Sequence, residues 1–344
     1  MRVLVVGHGL IGRQRAAALV ELGQAGGARL AGTVDPMTRA QELYGGVPHF
    51  DSVARVASDA YDAAVIALPH DVAKDAALHV LRQGKPVLLE KPLGRTAREA
   101  QELADAARGA RIPSFVGYNY RFLPHVREAL SRAGRGELGR LRSIDLLLGH
   151  GGHPGSAQGW KLDPVRAGGG VLLDPGVHLF DLAFLLAPNA RLEHVAATRG
   201  FWATGIEEDA VAIFSEAELL ATVRVSHIRW VNTFRIEIGG EDGYALVDGR
   251  GGNYGPLRLT SGRRWGWNDG SGRSQRQTED VIDFGERDVS LRDELAAVLA
   301  AWSGDSAPTP GPPPASFDDA LRIARLCDTM YEALAARAPR SQDA

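Results

Sequence analysis

The sequence predicts an α/β N-terminal domain with a doubly wound parallel sheet, followed by a C-terminal α+β domain with a large, mostly antiparallel open sheet. The first of three observations is the alternation of short apolar runs with helical segments over residues 1–120, which is typical of parallel sheets covered by helices. The second is that later strand patterns follow one another with few helices between them. The third is length, because 344 residues are many for one hydrophobic core.

The N-terminal part contains buried-strand patterns, each a short apolar run bounded by turn-forming or charged residues. These runs cover residues 3–6, 29–34, 63–68, 86–90 and 114–119. Helical patterns lie between them at 11–22, 71–83 and 96–108. Thr96 and Glu99 form a capping box at the start of the third helix, and Gly84 is the expected end of the second. This order of elements favours a parallel sheet.

The C-terminal part begins with a predicted helix at 123–132. Strand patterns follow at 141–148, 192–198, 210–214, 221–227, 234–238 and 244–247, with one helix at 175–186 among them. Residues 249–276 are rich in glycine, arginine and tryptophan, and we interpret them as a surface excursion. A helix at 291–302, a stiff proline-rich linker at 308–316 and a last helix to about residue 336 complete the prediction.

Charge and cysteine content exclude several classes of function. The net charge of −3 gives no electrostatic footprint for nucleic acid or for an anionic membrane. The single cysteine, Cys327, cannot form an intrachain disulfide or, by itself, a zinc site. The apolar runs are too short for a membrane span or a signal peptide. We therefore expect a cytoplasmic protein with no nucleic acid or membrane partner.

The hexapeptide GHGLIG at 7–12 connects the first predicted strand to the first helix with G-x-G-x-x-G spacing. Gly7 permits a tight turn, Gly9 lets a pyrophosphate approach the backbone, and Gly12 lets strand and helix pack closely. The helix N-terminus supplies free N–H groups for the phosphates. The alternative is a glycine-rich turn without a ligand, but the flanking strand and helix favour dinucleotide binding.

Asp35 ends the second predicted strand, where an acidic residue can bind the ribose of a dinucleotide. Its carboxylate would accept hydrogen bonds from both ribose hydroxyls and would repel a 2′-phosphate, which favours NAD. Arg39 follows closely and leaves NADP as the alternative cofactor, because an arginine there can accommodate the phosphate.

The segment VLLEKPLG at 87–94 ends a buried strand on Glu90 and Lys91, followed by Pro92. Open α/β sheets bind their ligands at the carboxyl ends of strands. Lys91 could there hydrogen-bond a substrate hydroxyl and stabilise the alkoxide that develops as hydride leaves. The alternative is a strand end that meets solvent, with a turn proline after it.

Asp174 and His178 lie in GGGVLLDPGVHLFD at 168–181, and their spacing of four would place them on one face of a helix. A histidine can accept the hydroxyl proton, and a nearby carboxylate can orient it or the substrate. Two alternatives stay open: a helix N-terminal acid with a core histidine, and half of a metal site. Further ligands at suitable spacing are missing, so no metal is predicted. The glycines at 168–170 would let the backbone run close to a ligand or to another strand.

Several segments in this order resemble the Gfo/Idh/MocA family of NAD(P)-dependent oxidoreductases. They are GHGLIG at 7–12, GKPVLLEKPLG at 84–94, GYNYRFLP at 117–124, GGGVLLDPGVHLFDL at 168–182 and SFDDALRIARLCDTMYEAL at 316–334. The resemblance covers nearly the whole chain. It implies an NAD(P)-binding Rossmann domain at 1–121 and a substrate-binding domain at 122–344. Because the family's C-terminal sheet often mediates assembly, it also implies a homodimer or homotetramer.

By this resemblance, Lys91, Asp174 and His178 match the family's catalytic lysine, acid and histidine. The Lys91–Pro92 peptide is a candidate cis bond. The implied cofactor-binding residues are Gly7, Gly9, Leu10, Ile11, Gly12, Asp35, Arg39, Leu68, Pro69, Glu90, Lys91 and Pro92.

The chain departs from the family's pattern after the predicted strand at 63–68. Leu68 stands where the family often has a threonine, and Ala73 where it often has a histidine. Contacts near the nicotinamide and its ribose would therefore differ, with His70 as a candidate to compensate.

A pocket for a sugar or polyol needs several hydrogen-bonding groups and can use an aromatic platform. The candidate substrate residues are Tyr118, Asn119, Arg121, Trp160, Lys161, Arg166 and His227. Arg121, Lys161 and Arg166 together could hold a phosphate or carboxylate. For each of these residues, structural packing or a solvated surface is the alternative.

Three functions are consistent with these residues. The leading one is a dehydrogenase that moves a hydride between a secondary alcohol of a sugar, sugar derivative or cyclic polyol and NAD. The second is an enzyme that recycles its NAD within one turnover, with a net epimerisation, elimination or glycoside cleavage. The third is a sensor of dinucleotide and sugar without turnover, which would predict erosion of the catalytic residues.

Overall fold

The computed structural model describes residues 1–24, 27–37, 46–152, 159–202, 204–263, 279–304 and 311–337. These residues form one sheet of seven strands and one of eight. Within the same ranges, no helix has both the length and the apolarity needed to cross a bilayer. The combination of a parallel and a mostly antiparallel sheet confirms the predicted fold class.

The N-terminal sheet contains β1 (Arg2–Val6), β2 (Arg29–Val34), β3 (His49–Phe50), β4 (Ala63–Ile66), β5 (Val87–Leu89) and β6 (Phe115–Val116). Helices α1 (Leu10–Gly23), α2 (His70–Arg82) and α3 (Ala97–Ala110) connect them. The six strands pair in parallel in the order β6–β5–β4–β1–β2–β3. Their apolar runs are continuous because helices cover both faces of the sheet. Thr96 caps α3, since its Oγ1 accepts the N–H of Glu99 at 3.3 Å.

Parallel pairing brings the carboxyl ends of β1, β4 and β5 to one edge of this sheet. Gly7 follows β1, Leu68 lies just beyond β4, and Lys91 lies just beyond β5. The edge therefore collects the predicted cofactor turn and the predicted catalytic lysine.

The second sheet follows α4 (Pro124–Gly134). Its strands are β7 (Leu141–Gly149), β8 (Arg191–Thr198), β9 (Asp209–Glu216), β10 (Leu219–Ser226), β11 (Thr233–Gly240), β12 (Gly243–Asp248), β13 (Arg258–Arg263) and β14 (Glu279–Asp283). The order is β14–β13–β12–β11–β7–β10–β9–β8. Between β7 and β8 lie the short helix α5 (Pro164–Ala167) and α6 (Gly176–Leu186).

Strand direction in this sheet decides which residues share an edge. β10 runs parallel to β7, whereas β11 is antiparallel to β7 and β12 is antiparallel to β11. β7, β10 and β12 therefore point the same way. His150, His227 and Arg250, which come just after these strands, lie along one edge of the sheet.

The chain returns to the N-terminal sheet near its end. Helix α7 (Ser290–Trp302) buries Leu295 and Val298 in the same apolar cluster as residues of β1. Strand β15 (Ala315–Ser316) then pairs antiparallel with β6, and α8 (Phe317–Arg337) packs against α3. The division at residue 121 stays a proposal, with the qualification that segments beyond residue 290 complete the N-terminal sheet.

Two sequence interpretations need correction. The predicted surface excursion at 249–276 contains β13, and Leu257 and Leu259 are fully buried there; residues 264–278 lie outside the described ranges. The end of the predicted linker forms β15 rather than a free connector. Glycine and proline content concealed both short strands: β13 pairs with its sequence neighbours β12 and β14, and β15 pairs with the distant β6.

Candidate active site

The three glycines of the turn after β1 are required for different reasons. Gly7 has a φ of +93°, and a Cβ there would lie 2.2 Å from the carbonyl oxygen of Ala67. A Cβ on Gly12 would lie 1.9 Å from the carbonyl oxygen of Gly7. Around Gly9, by contrast, no described residue other than its own chain neighbours comes within 4 Å of the Cβ position. Packing explains Gly7 and Gly12, whereas Gly9 leaves room in front of α1 for a ligand.

The N-terminus of α1 fits an anionic ligand. Gly9 is its N-cap, no side chain caps the helix, and its first turn carries no acidic residue. Leu10 and Ile11 are exposed at 66% and 37%, so apolar surface lies beside the open N–H groups. A dinucleotide would satisfy both features, with its pyrophosphate on the N–H groups and its remainder on the apolar side chains.

Asp35 is held beside this turn. Its Oδ2 accepts the backbone N–H of His8 at 2.8 Å, and its Oδ1 accepts the backbone N–H of Met37 at 2.8 Å. The carboxylate is therefore fixed next to the glycines, as the prediction for ribose binding requires. Arg39 lies outside the described residues.

The other predicted cofactor residues lie along the same edge. Leu68 and Pro69 precede α2 and are half-buried, while Pro92 is buried. The Lys91–Pro92 peptide is cis, as predicted. Glu90 is bound by Arg15, whose Nε lies 2.8 Å from its Oε1, so its carboxylate faces the protein interior.

Two lysines share the carboxylate of Asp174. Lys91 Nζ contacts Oδ1, and Lys161 Nζ lies 2.7 Å from Oδ2. Asp174 itself is buried. The predicted pair of Lys91 and Asp174 therefore comes together across 83 residues of sequence, and Lys161 joins it from the loop before α5.

The charges set different proton affinities on these three groups. Burial alone would raise the pKa of Asp174, but Lys91 and Lys161 outweigh it and hold that pKa well below its usual range. Burial lowers the pKa of Lys91, with Asp174 opposing the shift. Attraction to Asp174 raises the pKa of Lys161. Lys161 is thus the permanent cation of the cluster, and Lys91 is the ammonium that releases its proton more readily.

His178 lies on α6 with its ring stacked on Tyr120, at 4.0 Å between centroids and 13° between planes. Tyr118 contacts it edge-on at 5.8 Å. Burial, reinforced by the charge of Lys91, holds the pKa of His178 well below its usual range, so the imidazole is neutral. Its Nδ1 is buried without a hydrogen-bond partner in the structure. A neutral imidazole can act as a proton acceptor.

The geometry corrects one expectation about Asp174. Helix α6 begins at Gly176 with Pro175 as its N-cap, so Asp174 precedes the helix and does not share a helical face with His178. The Asp174–Pro175 peptide is cis. Asp174 nevertheless influences His178, because its negative charge opposes the lowering of the His178 pKa.

The triple glycine before Asp174 approaches protein groups. A Cβ on Gly169 would lie 2.0 Å from the hydroxyl of Tyr331, and one on Gly170 would lie 2.0 Å from the carbonyl oxygen of Glu207. Gly168 has a φ of +83° and faces Arg95. Of the two predicted reasons for these glycines, close approach to neighbouring chain segments is what the structure shows.

Three histidines line the surroundings of the cluster. His70 Nδ1 lies 2.9 Å from the carbonyl oxygen of Ala167, and its ring meets Trp160 edge-on at 4.7 Å. The rings of His150 and His227 are 4.6 Å apart. Burial lowers the pKa of His70 and of His227 to about 4. Neutral imidazoles at these places offer donors and acceptors to sugar hydroxyls.

The predicted substrate residues are only partly brought together. Lys161, Trp160 and His227 lie around Asp174. Arg121 is 3% exposed, and its Nε binds Asp181 Oδ2 at 2.7 Å.

Two further predicted substrate residues also have other partners. Asn119 donates to Ser290 Oγ at 2.7 Å, and Arg166 binds Asp71 at 3.1 Å. Each cation of the predicted anion trio, Lys161 included, thus has its own carboxylate partner, and the substrate roles of Arg121, Asn119 and Arg166 stay predictions.

Sequence reasoning missed three residues of this region. Tyr120 carries the stacked face of His178, Glu207 supports the glycines, and Arg250 binds the hydroxyl of Tyr120. Tyr120 stands two residues from the predicted Tyr118, which was a usable signal. Arg250 follows a predicted strand within a glycine-rich run, and only its position at a strand end could have indicated it.

Metal binding finds no support in the described ranges, where no group of three or more His, Cys, Asp or Glu side chains could hold a metal ion. The other alternative for Asp174 and His178 was an acid at a helix N-terminus with a core histidine. It agrees with the burial of both residues, but it does not explain why two lysines converge on Asp174.

The chain is similar in sequence to known bacterial proteins. Rhizopine catabolism protein MocA from Rhizobium meliloti is 27% identical over 217 residues, which are 62% of this chain and 65% of that protein. Inositol 2-dehydrogenase from Rhodococcus erythropolis is 28% identical over 283 residues, 77% of this chain and 76% of that protein. The match to MocA thus spans slightly less than two thirds of its length.

The solved structure of levoglucosan dehydrogenase in complex with NADH has the same fold. Its TM-score is 0.82 over 98% of this chain and 97% of that chain, at 18% identity. Two family models also match: the oxidoreductase family with an NAD-binding Rossmann fold over residues 1–118, and the GFO/IDH/MocA C-terminal domain over residues 126–246. The chain therefore belongs to the Gfo/Idh/MocA family of oxidoreductases, with an NAD-binding Rossmann fold in its N-terminal part.

Proposed function

We propose that this protein is an NAD-dependent dehydrogenase that moves a hydride between a secondary alcohol carbon of a sugar, sugar derivative or cyclic polyol and the nicotinamide. The observation that carries the proposal is the cluster of Lys91, Asp174 and Lys161 beside the neutral His178, at the edge where the dinucleotide turn lies. A structural role for one buried acid would not require two lysines and a stacked neutral histidine around it.

Each side chain of the cluster has a distinct part. When bound, NAD supplies the acceptor for the hydride. Lys91 donates a hydrogen bond from Nζ to the reacting hydroxyl and stabilises its oxygen as negative charge develops. His178 takes the hydroxyl proton on a ring nitrogen, which its low pKa leaves unprotonated. Asp174, kept ionised by Lys161, fixes the position of Lys91.

The cofactor preference follows from Asp35. Its carboxylate is held by two backbone N–H groups at the glycine turn, so a 2′-phosphate at the ribose would meet a fixed negative charge. We therefore propose NAD as the cofactor used, with NADP as the weaker alternative.

Nicotinamide absorbance tests the proposal directly. Purified protein is incubated with NAD, and separately with NADP, in the presence of inositols, free sugars, sugar phosphates or nucleotide sugars. We expect reduction of NAD with one of these classes. Binding of NAD without reduction by any of them would contradict the proposal, and would favour recycled-cofactor chemistry or a sensor.

Assembly through the C-terminal sheet is also proposed. Helices α4 and α6 pack against β12, β13, β7 and β10, while alternate residues of β10 are exposed, with Leu220 at 51%. The open face carries both signs of charge, such as Arg224 paired with Asp209 at 2.7 Å, and can meet a copy of itself. Sedimentation should show a homodimer or homotetramer, and Leu220→Asp should weaken it. A cytoplasmic location and the absence of nucleic acid and membrane partners stay predictions of the sequence.

A further inference from the structure

Arg250 is a cation that lacks a carboxylate partner in the part of the chain that the structure describes. Its Nη1 lies 2.5 Å from the hydroxyl of Tyr120, and its Cζ lies 5.1 Å from that ring's centroid and 4.5 Å from that of Tyr254. Its Nε is buried without a hydrogen-bond partner there. Tyrosine rings attract a guanidinium weakly. The hydroxyl of Tyr254 is a second hydrogen-bond partner of Arg250, and of its five N–H donors the one on Nε has no partner among the described residues.

One carboxylate, that of Asp288, acts on Arg250 without lying within salt-bridge distance of it. Asp288 acts on Arg250 through its charge, but its Oδ1 accepts both the N–H and the hydroxyl of Ser290, at 2.9 and 2.6 Å. A half-buried guanidinium in this condition is costly for the protein alone, since burying a charge without a paired acceptor is unfavourable. Such groups are common where a ligand supplies the acceptor.

Arg250 faces the same place as the proposed catalytic residues. It follows β12, whose carboxyl end lies on the same edge of the sheet as the ends of β7 and β10. Tyr120, to which it donates, is stacked on His178. The charge of Arg250 also contributes to the low pKa of His178. Arg250 is partly exposed, and its contact with Tyr120 places it one side chain away from His178.

The side chains around Asp174 carry more positive than negative charge. Lys91 and Lys161 face the single carboxylate of Asp174, and Arg250 adds a third cation. The carboxylate of Glu90 also acts on both lysines through its charge, but it is bound by the buried Arg15. A site with this excess of positive charge concentrates anions.

We propose that Arg250 is a substrate-binding residue that recognises an anionic group, carboxylate or phosphate, on the sugar or polyol substrate. The inference rests on the proposed function, which places the reacting alcohol of the substrate beside Lys91 and His178. It replaces the anion site predicted from Arg121, Lys161 and Arg166, of which Arg121 and Arg166 are paired elsewhere. The planar guanidinium matches both oxyanions in bidentate geometry, which is why the two sources are tested separately.

The experiment measures binding apart from turnover. The wild-type protein, loaded with NADH, is titrated by calorimetry with D-glucose, D-glucuronate and D-glucose 6-phosphate. We expect the carboxylate or the phosphate sugar to bind at least about tenfold more tightly than D-glucose, the range for a charge-assisted pair. The anionic sugar with the higher affinity identifies the group. Equal affinities for all three sugars would overturn the inference.

Variants separate recognition from packing. Arg250→Gln should abolish the anion preference while leaving D-glucose binding within a few-fold, and Arg250→Lys should retain part of it. Arg235→Gln, at an exposed salt bridge with Asp248, is the matched control and should bind as wild type. If Arg250→Gln weakens all three sugars equally, the residue only packs against Tyr120, and the inference is wrong. If Arg250→Gln does not fold, the wild-type titrations still decide.

Failure of this inference is distinguishable from failure of the dehydrogenase proposal. Binding of an anionic sugar through Arg250 without any reduction of NAD would contradict the proposed reaction but support the anion site. Reduction of NAD by an anionic sugar, at equal kcat/KM in wild type and Arg250→Gln, would support the proposed reaction and overturn the anion site.

Discussion

The hydroxyl of Tyr331 donates to Oε1 of Glu207 at 2.7 Å. The same carboxylate oxygen accepts the backbone N–H of Gly170 at 2.9 Å and of Leu172 at 3.2 Å. Glu207 is 2% exposed, so these three donors compensate a charge that is removed from water. The segment that carries Asp174 is thereby fixed by Glu207, which lies just before β9, and by Tyr331 of α8.

Gly170→Ala should destabilise the protein and reduce turnover, because the new Cβ would lie 2.0 Å from the backbone oxygen of Glu207. Backbone must move to relieve such a clash, and overpacking costs about 1–3 kcal/mol. Urea unfolding and steady-state kinetics measure the two effects. Gly109→Ala is the control. Apart from its own helix, no described residue lies within 4 Å of its Cβ position in α3, so this helical alanine should be neutral or stabilise by up to about 1 kcal/mol. Equal effects of both substitutions would contradict the packing argument.

Lys91→Ala should lower kcat by about 10²–10⁴, the range for loss of one positioned acid–base group. Affinity for NAD should change little, since the dinucleotide turn and Asp35 are left intact. Stopped-flow turnover and fluorescence titration with NADH give the two numbers. Lys74→Ala, which removes a salt bridge with Glu102 on neighbouring helices, serves as the control. A variant that keeps a near-normal rate would remove Lys91 from the mechanism.

Local patterns predicted most of the fold. The strand at residues 29–34 is observed as Arg29–Val34, and the helix at 11–22 as Leu10–Gly23. Both patterns depend on the hydrophobic period and on the glycines beside them, which are local properties. β15 was missed because it exists through pairing with the distant strand β6. β13 pairs with the neighbouring β12 and was missed because its surroundings are rich in glycine. Composition rich in glycine or proline gives no sign of such pairing.

The same distinction applies to the candidate site. Lys91, Asp174 and His178 lie in motifs with recognisable spacing, and two of them are joined in the structure. The partners of Arg121 and Arg250 could not be predicted from local patterns, because they depend on which carboxylate, if any, folding brings to each guanidinium. Asp181 neutralises the first, and no described carboxylate lies within salt-bridge distance of the second. Pairing over long separations decides this.

Asp35→Ala should shift cofactor preference toward NADP. Removal of the carboxylate relieves its repulsion of a 2′-phosphate and takes away the acceptor for the ribose hydroxyls, so kcat/KM should fall for NAD and rise for NADP. We expect the ratio of the two values to change by about tenfold or more, as for a charged hydrogen bond. Asp51→Ala, an exposed residue paired with Arg55, is the control. An unchanged ratio would show that Asp35 does not contact the ribose.

A buried charge network connects the cofactor helix to α7. Arg15 of α1 is fully buried and binds Glu90 at 2.7 Å, the carbonyl oxygen of Leu291 at 2.8 Å, and Glu294. Oε1 of Glu294 has no hydrogen-bond partner in the structure. The guanidinium of Arg15 thus faces two carboxylates. That of Glu294 has fewer hydrogen bonds than a buried carboxylate needs. This arrangement makes Glu294 hard to ionise.

Glu294→Gln should flatten the dependence of stability on pH. Burial, with Arg15 opposing it and Glu90 reinforcing it, raises the pKa of Glu294 to about 7 from an ordinary value of 4.5. The folded state therefore holds a proton that the unfolded state releases, so this contribution to stability is complete below pH 4.5 and is lost as pH rises through 7. The loss is on the order of 3 kcal/mol. Urea unfolding at pH 5 and pH 8 should show a smaller fall for Glu294→Gln than for wild type. The exposed Glu102→Gln should behave as wild type, and an equal fall in all three proteins would show that Glu294 is already ionised at pH 5.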